Sequence, residues 1–359
     1  MTISWKPNWH ETQQHYLDWW RHDGLLLGMW GAPAGKTPRE VVPNPGCPSV
    51  VEEHTDAQLR ARLYHYRLAQ CAYPADCLPI AMTDLGPGSL SLFLGAEPSF
   101  ARETIWYIPS IADVEDPETL PPFHFDANNR WWQLTEATTR EMVALSQGKY
   151  LVGFPDLIEN IDILASLREP QMLLMDMLER PEWVREKLVE INQVYFAAYQ
   201  RLYDIIKLAD GSSVYGPFYL WGPGKTAKVQ CDASAMFSSA MFQEFVVPTL
   251  TTQCAWLDHA MYHLDGTQCI SHLDHLLEIE PLQAIQWTPQ AGIEGGGSPR
   301  WHAMYRRILA AGKSLLVGAK PAEVIPLLDA IGGKGVYVMT CFTDEAQAEQ
   351  LSMQVEAYR

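Results

Sequence analysis

The chain has 359 residues, of which 47% are apolar and 19% are charged, so it can bury a substantial core and is not disordered. Its net charge of -17, with no cluster of lysine and arginine, argues against a nucleic-acid-binding protein, because phosphate recognition requires a basic surface. The first ten residues lack the apolar segment of a signal peptide, and no apolar run is long enough to predict a membrane span. The seven cysteines are scattered without a C-x-x-C pair, which favours a reducing, cytoplasmic setting.

The first part of the chain predicts helices, proline-rich loops and one buried strand. Residues 1–75 are interpreted as an N-terminal helical elaboration. The predicted elements are a helix over 10–21, an apolar stretch at 25–27, a loop over 33–48, a helix over 56–70, a strand over 78–82, a turn over 84–88 and an irregular segment over 105–125.

From residue 129 onward, helical and strand patterns alternate with short connections. Helices are predicted over 131–147, 170–178, 181–206, 238–258 with a break at Pro248, 270–278, 301–311, 321–331 and 343–357, and a helix or turn is predicted over 158–167. Strands are predicted over 150–154, 213–219, 229–232, 261–265, 282–287, 314–317 and 336–340. This alternation predicts an α/β protein with a parallel sheet, and the number of strands suits a single (β/α)8 TIM-like barrel domain over residues 1–359.

The segment Tyr262-His263-Leu264-Asp265-Gly266 is the strongest candidate for a functional motif. Residues two apart in a strand point to the same face, so His263 and Asp265 are expected to project together at the end of a strand. Cys341, after the last predicted strand, would complete a nitrogen, oxygen and sulfur ligand set of the kind that zinc accepts. A His-x-Asp pair is also common without metal, and Cys341 also fits an ordinary buried thiol.

Three carboxylates follow predicted strands, namely Asp156, Asp232 and Asp265. In α/β barrels the carboxyl ends of the strands carry the catalytic residues, so these side chains are candidates for acid and base roles. Each of them also fits a helix cap or a loop salt bridge.

Aromatic residues close to these strand ends are candidates for binding substrate. The chain has 13 tryptophans, and an indole ring suits a flat or ring-shaped ligand, although most tryptophans serve packing. The predicted substrate-binding residues are Trp221, Tyr262, Trp287 and Gln290.

Several blocks of this sequence together resemble the uroporphyrinogen decarboxylase-like superfamily of (β/α)8 barrels. The similarity is strongest over residues 130–359 and looser in the first part of the chain, where residues 84–97 also resemble this group. The blocks are Gly153-Phe154-Pro155-Asp156, Arg180-Pro181-Glu182-Trp183-Val184, Asp232 with the segment 241–248, His263-Leu264-Asp265-Gly266 and Gly335-Val336-Tyr337-Val338.

The superfamily has two main chemistries, decarboxylation of uroporphyrinogen and methyl transfer, and the resemblance implies methyl transfer for this chain. The methyltransferase branch moves a methyl group between a corrinoid and a thiol or related acceptor at a zinc site. The zinc motif is similar to His-x-Cys-Gly followed by a distant Cys. His263, Gly266 and Cys341 match it, whereas Asp265 stands in place of the middle Cys.

On this resemblance, zinc is expected on His263, Asp265 and Cys341, with Asp156 and Asp232 orienting substrate or moving protons. The sequence has no corrinoid-binding motif of the Asp-x-His-x-x-Gly type, so the corrinoid is expected from a partner protein or a free pool. The decarboxylase branch carries an arginine-rich N-terminal segment that binds the carboxylates of its substrate. This chain has only Arg21 and Arg39 in its first 40 residues, so uroporphyrinogen decarboxylation is a weaker alternative than methyl transfer.

Two other functions compete with corrinoid-linked methyl transfer. One is a metal-free hydrolase or lyase that acts on a sugar-like ring through its carboxylates, with the aromatic residues as a platform. The other is a non-catalytic protein that docks a partner such as a corrinoid protein.

Overall fold

The structure is a computed structural model that describes residues 2–83, 85–101, 104–342 and 344–359. Asp84 and Thr343, which open the predicted turn and the predicted last helix, lie outside the described residues.

The strands of the described residues fall mostly in short segments between helices. In chain order they are β1 Leu25–Met29, β2 Ile80–Met82, β3 Glu97–Phe100, β4 Ile105–Ile108, β5 Leu151–Gly153, β6 Ser213–Tyr215, β7 Leu220–Gly222, β8 Thr226–Gln230, β9 His259–Asp265, β10 Ala284–Thr288, β11 Ser314–Gly318 and β12 Val336–Thr340.

The helices cover the outer side of these strands. They are α1 Trp9–Trp20, α2 Val50–Thr55, α3 Ala57–Ala69, α4 Leu90–Phe93, α5 Arg130–Ser146, α6 Asn160–Arg168, α7 Pro170–Glu179, α8 Pro181–Ile206, α9 Ser239–Met241, α10 Val247–Trp256, α11 Gly266–Cys269, α12 Leu273–Glu278, α13 His302–Ala310, α14 Pro321–Ile331 and α15 Glu345–Val355. Among the described helices, none combines the length and the apolar character needed to cross a membrane.

The strand pairing confirms the predicted α/β barrel class. Six strands form one parallel sheet in the order β1-β12-β11-β10-β9-β8. Strands β2 and β5 form a second parallel pair, and a bridge between Phe154 and Tyr215 connects the end of β5 to β6. Two antiparallel hairpins, β3–β4 and β6–β7, are added to this frame.

Helix α1 closes the amino-terminal end of the barrel with aromatic side chains. Trp19 donates its indole N–H to the carbonyl of Leu315 at 3.2 Å, and Trp20 donates to the carbonyl of Trp221 at 2.9 Å. The hydroxyl of Tyr16 lies 3.0 Å from that of Tyr337 inside the barrel. Because these aromatic residues recur at helical spacing, one face of α1 is buried against the strands.

The structure differs from the sequence expectations at four short strands, of which β3 had no predicted counterpart. The apolar stretch at 25–27, inside the predicted elaboration over 1–75, is part of strand β1 and pairs in parallel with β12. The segment predicted as irregular from residue 105 begins with strand β4. Strand β7 was missed altogether. Strands of three to five residues are too short to show a clear period. Their pairing with neighbouring strands therefore determines that they form strands.

A buried carboxylate joins the two ends of the chain to strand β1. Asp76 is fully buried, and its oxygens contact His15 at 2.7 Å, Arg359 at 3.0 Å and the backbone N–H of Leu27 at 2.9 Å. Burial raises the pKa of Asp76, but the hydrogen bond with His15 and the charge of Arg359 lower it by more, so the net direction is down.

We expect Asp76→Asn to lower the free energy of unfolding by about 3 kcal/mol at neutral pH, because it leaves Arg359 without its buried partner. Since the pKa of Asp76 is depressed in the folded state, this contribution is present at neutral pH and fades only below about pH 4. The midpoint of urea unfolding measures it. The matched control is Asp23→Asn, in an exposed pair with Lys334, which should leave the midpoint unchanged. Equal shifts for the two variants would contradict the assignment.

Candidate functional site

Three side chains meet at the carboxyl ends of strands β8 and β9. Asp232, His263 and Asp265 each offer a ligand atom, and these atoms all lie within 4.8 Å of one another. We call this group the Asp-His-Asp triad. Gln230 pairs with His263 across the two strands, so Asp232, two residues later, comes level with Asp265. Side chains two apart along a strand share a face, which explains the convergence.

Cys341 is not part of this group, which differs from the predicted ligand set. It is exposed and follows β12, whereas His263 and Asp265 belong to β9. Strands β10 and β11 lie between these two in the sheet order. Asp232, predicted to have a catalytic role only, takes the third position of the triad instead.

A glutamine fixes the orientation of the triad histidine. The Nδ1 atom of His263 is hydrogen-bonded to the Oε1 of Gln286, an acceptor, so Nδ1 carries the proton. Gln286 in turn donates its amide N–H to the hydroxyl of Thr288 at 2.7 Å. This arrangement leaves the Nε2 lone pair of His263 free to bind a metal, as the outer hydrogen bonds of metal-binding histidines generally do.

The interior of the barrel beside the triad holds a buried ion pair. The ammonium of Lys228 is fully buried and lies 2.7 Å from Asp156 Oδ1, which also accepts a hydrogen bond from the hydroxyl of Tyr215 at 2.7 Å. Lys228 also donates to the side-chain oxygen of Gln230. Asp156 therefore binds a cation, and it is linked to the triad indirectly, through Lys228 and Gln230.

Another carboxylate, that of Asp162 at the start of α6, holds Asp232 of the triad in place. Its oxygens accept the backbone N–H groups of Asp232 and Ala233, both at 2.9 Å, and the side-chain N–H of Gln230 at 2.9 Å. Gln230 also donates to Asp232 Oδ2 at 2.9 Å. The short turn that begins at Asp232 is thus capped by a carboxylate from a neighbouring helix.

Crowding of carboxylates changes the protonation of the site. Loss of water and the nearby charge of Asp162, with smaller contributions from Asp265 and Asp156, raise the pKa of Asp232 to about 7. Burial and the Lys228 ammonium lower the pKa of His263, so its ring is neutral at pH 7. A cation in the triad would relieve the repulsion between the carboxylates.

Glu159 is a buried acid that lies close to the triad. One of its oxygens accepts the backbone N–H of Gln230 at 2.6 Å, and the other has no hydrogen-bond partner among the residues that the structure describes. Burial raises the pKa of Glu159 to about 8, although Lys228 opposes the shift. Its neighbours Ile158 and Asn160 both have positive φ, at 53° and 56°, which is costly for a β-branched residue such as isoleucine.

The structure places the three aromatic residues of the predicted substrate site in the packed interior. Tyr262 and Trp287 are 1% and 0% exposed and lie on the face of the sheet opposite His263 and Gln286, where Trp287 contacts the ring of Trp301. Trp221 is 3% exposed and packs against Trp9 at the floor of the barrel.

Gln290, the fourth predicted substrate-binding residue, contacts the turn that follows Asp265. It accepts the backbone N–H of Thr267 and donates to the Thr267 hydroxyl, both at 2.8 Å. It therefore holds the turn that follows Asp265.

Sequence reasoning missed several polar residues of the site, namely Glu159, Asp162, Lys228, Gln230 and Gln286. A usable signal existed for three of them. Lys228, Gln230 and Gln286 are polar residues in short, otherwise mostly apolar strands, and a charged or amide side chain at such a buried position is rare unless it has partners. Glu159 and Asp162 lie at a helix start, where an acid is common and gives no specific signal.

A cleft of about 840 Å³ adjoins the triad through Asp232. Its walls come from the β3–β4 hairpin, from α6 and from the end of β8. The residues that line this cleft include Ile105, Trp106, Ile158, Asp162, Ala165, Glu169, Gln230, Asp232 and Met236. Another cavity, of about 580 Å³, lies beside α2 and α3 and includes no residue of the triad.

The donor set of the triad fits a divalent metal. One imidazole nitrogen and two carboxylate oxygens are ligands that zinc accepts, and three protein ligands leave a position open for water or substrate. Without a sulfur ligand, the set is harder than the one that the sequence resemblance implies.

Comparisons with known proteins give a fold relationship. No family model matches the sequence, and no curated protein matches it. Solved structures do match, among them a methyltransferase from Methanosarcina mazei with a TM-score of 0.63 and 10% sequence identity. The match covers 97% of this chain and 99% of that chain. It shows a shared barrel architecture over nearly the whole length, while membership of the uroporphyrinogen decarboxylase-like superfamily stays a prediction.

We expect Gln286→Leu to weaken zinc binding about 10- to 100-fold, because His263 loses the acceptor that fixes its Nδ1 proton. Isothermal titration with zinc measures the affinity, and the ¹⁵N chemical shifts of the ring report the tautomer. The matched control is Gln283→Leu, just before the same strand, whose side chain bonds the backbone of Ala260 and Asp258 far from the triad. A control variant that weakened zinc binding equally would show a general packing effect instead.

Proposed function

We propose that the chain is a metal-dependent methyltransferase-like barrel enzyme, which moves a methyl group between a corrinoid and a small acceptor. The observation that carries the proposal is the Asp-His-Asp triad at the carboxyl ends of β8 and β9. The fold match to a methyltransferase agrees with it. The corrinoid would come from a partner protein or a free pool.

The residues of this chain have separate tasks in the proposal. Asp232, His263 and Asp265 would hold zinc, which supplies a Lewis acid that lowers the pKa of a bound acceptor. Gln286 keeps the Nε2 atom of His263 unprotonated. Asp162 positions Asp232 through its backbone.

The buried pair of Lys228 and Asp156 supplies the electrostatic background of the site. The ammonium of Lys228 contacts Asp156 and opposes the rise in the pKa of Glu159 and Asp232, so it lowers the cost of keeping these carboxylates close together. In the proposal Asp156 orients substrate or carries a proton only through this pair, since its oxygen already binds Lys228 and Tyr215.

Metal content is the first test of the triad. Wild-type protein incubated with zinc and then desalted should retain about one zinc per chain, and His263→Ala and Asp265→Ala should retain none. Cys341→Ser is the matched control, because its sulfur lies outside the triad, and it should retain zinc. Loss of zinc in Cys341→Ser with retention in Asp232→Asn would restore the ligand set expected from sequence. Absence of zinc from the wild type would remove the proposal.

Methyl transfer is the second test. Zinc-loaded protein with methylcobalamin and a panel of thiols, alcohols and amines should convert methylcobalamin, which absorbance spectroscopy follows as the cobalt loses its methyl group. His263→Ala should reduce the rate to background. Equal rates for wild type and His263→Ala would exclude a reaction at the triad.

One observation favours a second candidate function, a metal-free hydrolase or lyase acting on a ring substrate. The pKa of Asp232 is raised to about 7, so without a metal its carboxyl group is partly protonated near neutrality beside a second aspartate. Such a pair suits general acid and base chemistry. Hydrolysis of nitrophenyl glycosides that persists in chelator, and that Asp232→Asn abolishes, would support this function over methyl transfer.

A further inference from the structure

Trp106 stands out among the tryptophans of the protein surface. It lies on β4, lines the 840 Å³ cleft and is 68% exposed. Three other tryptophans carry a side-chain cation over the ring: Arg130 lies 4.6 Å from the ring centre of Trp131, Lys225 lies 4.1 Å from that of Trp256, and Arg300 lies 4.6 Å from that of Trp301. Among the described residues, no lysine or arginine side chain lies over the ring of Trp106.

The charges that line the same cleft all have one sign. Asp162, Glu169 and Asp232 contribute carboxylates, and no lysine, arginine or histidine is present among the described lining residues. A divalent metal in the triad would compensate Asp232 and Asp265, and it would leave Asp162 and Glu169 facing the cleft. An anionic ligand is therefore disfavoured there, whereas a cation is attracted.

The remaining wall of the cleft is apolar. Ile105, Ile158, Ala165 and Met236 line the cleft together with the open indole and the carboxylates. A cavity of this size holds a molecule considerably larger than a metal ion or a small ammonium ion. The surface thus suits an organic cation with an apolar body.

We propose that the cleft binds an organic ammonium ion, with its alkylated nitrogen against the indole face of Trp106 and near the carboxylates, and its carbon framework along the apolar wall. An indole ring attracts such a cation through its quadrupole, and the attraction strengthens as water is removed. The proposal deepens the proposed function and rests on it in one respect, because it names the class of molecule that the same site takes.

Choline and 3,3-dimethylbutan-1-ol provide the test, since the second molecule has the same shape with a carbon atom in place of the charged nitrogen. Isothermal titration should show choline binding at least about 10-fold more tightly than the alcohol. Trp106→Ala should weaken choline binding about 3- to 30-fold and leave the alcohol almost unaffected. Trp106→Phe should give an intermediate loss.

Ile108→Ala is the matched control. Ile108 lies two residues further along the same strand, on the same exposed face, is 56% exposed and is not part of the cleft lining. Its variant should bind choline as the wild type does. Equal affinity for the two molecules, no binding of choline, or equal effects of Trp106→Ala and Ile108→Ala would each overturn the proposal.

Running the titrations with zinc-loaded and zinc-free protein separates this proposal from the proposed function. Zinc bound at about one per chain with no preference for choline would refute the ammonium site and leave the metal centre standing. A choline preference that depends on Trp106 in protein that retains no zinc would do the reverse.

Discussion

The site depends on the parallel register of strands β8, β9 and β10. This register aligns Gln230, His263 and Gln286 in one row and brings Asp265 level with Thr288 in the next. Because the side-chain period of a strand is two residues, a shift of one residue would turn the whole row away from the barrel interior. Short strands buried by helices on one side and by the barrel interior on the other have little freedom to shift. The pairing that builds the barrel therefore also fixes the ligand atoms of the triad.

Electrostatic balance is the second constraint on this site. Five carboxylates from three segments of the chain, residues 156–162, Asp232 and Asp265, lie close to one another, and the fully buried ammonium of Lys228 acts on Asp156, Glu159 and Asp232. Their mutual repulsion is offset by hydrogen bonds from backbone N–H groups and glutamine side chains. Burial first, and this repulsion second, raises the pKa of Asp232 and Glu159. An arrangement with this excess of negative charge is suited to receive a cation. In our proposals the triad binds a metal ion through its ligand atoms, and the cleft beside it binds an organic cation against an aromatic face.

The additions to the barrel explain why the cleft has its shape. The β3–β4 hairpin contributes Trp106 and Ile105 over the end of β8, and the turn of the β6–β7 hairpin places Phe218 4.9 Å from the ring of His263. The first hairpin thus forms a wall of the cleft, while the second fills the interior on the other side of the histidine. The β3–β4 hairpin is an insertion between strands β2 and β5, whereas β6 is bridged to the end of β5 and so belongs to the frame of the barrel.

The sequence by itself determined the barrel class, because helices and apolar strands alternate along most of the chain and that pattern has few folded solutions. It also identified His263 and Asp265 as neighbours, since a strand imposes its period locally. Only the tertiary structure decided the third member of the triad, where Asp232 stands instead of Cys341, because the choice depends on which strand ends meet across the sheet. The tertiary structure also places Trp221, Tyr262 and Trp287 in the packed interior. It shows in addition that Asp162, Lys228 and Gln286 belong to the site. Their partners lie between 23 and 72 residues away in sequence (Lys228 with Asp156, Asp162 with Asp232, Gln286 with His263), and no local pattern records contacts between such distant positions.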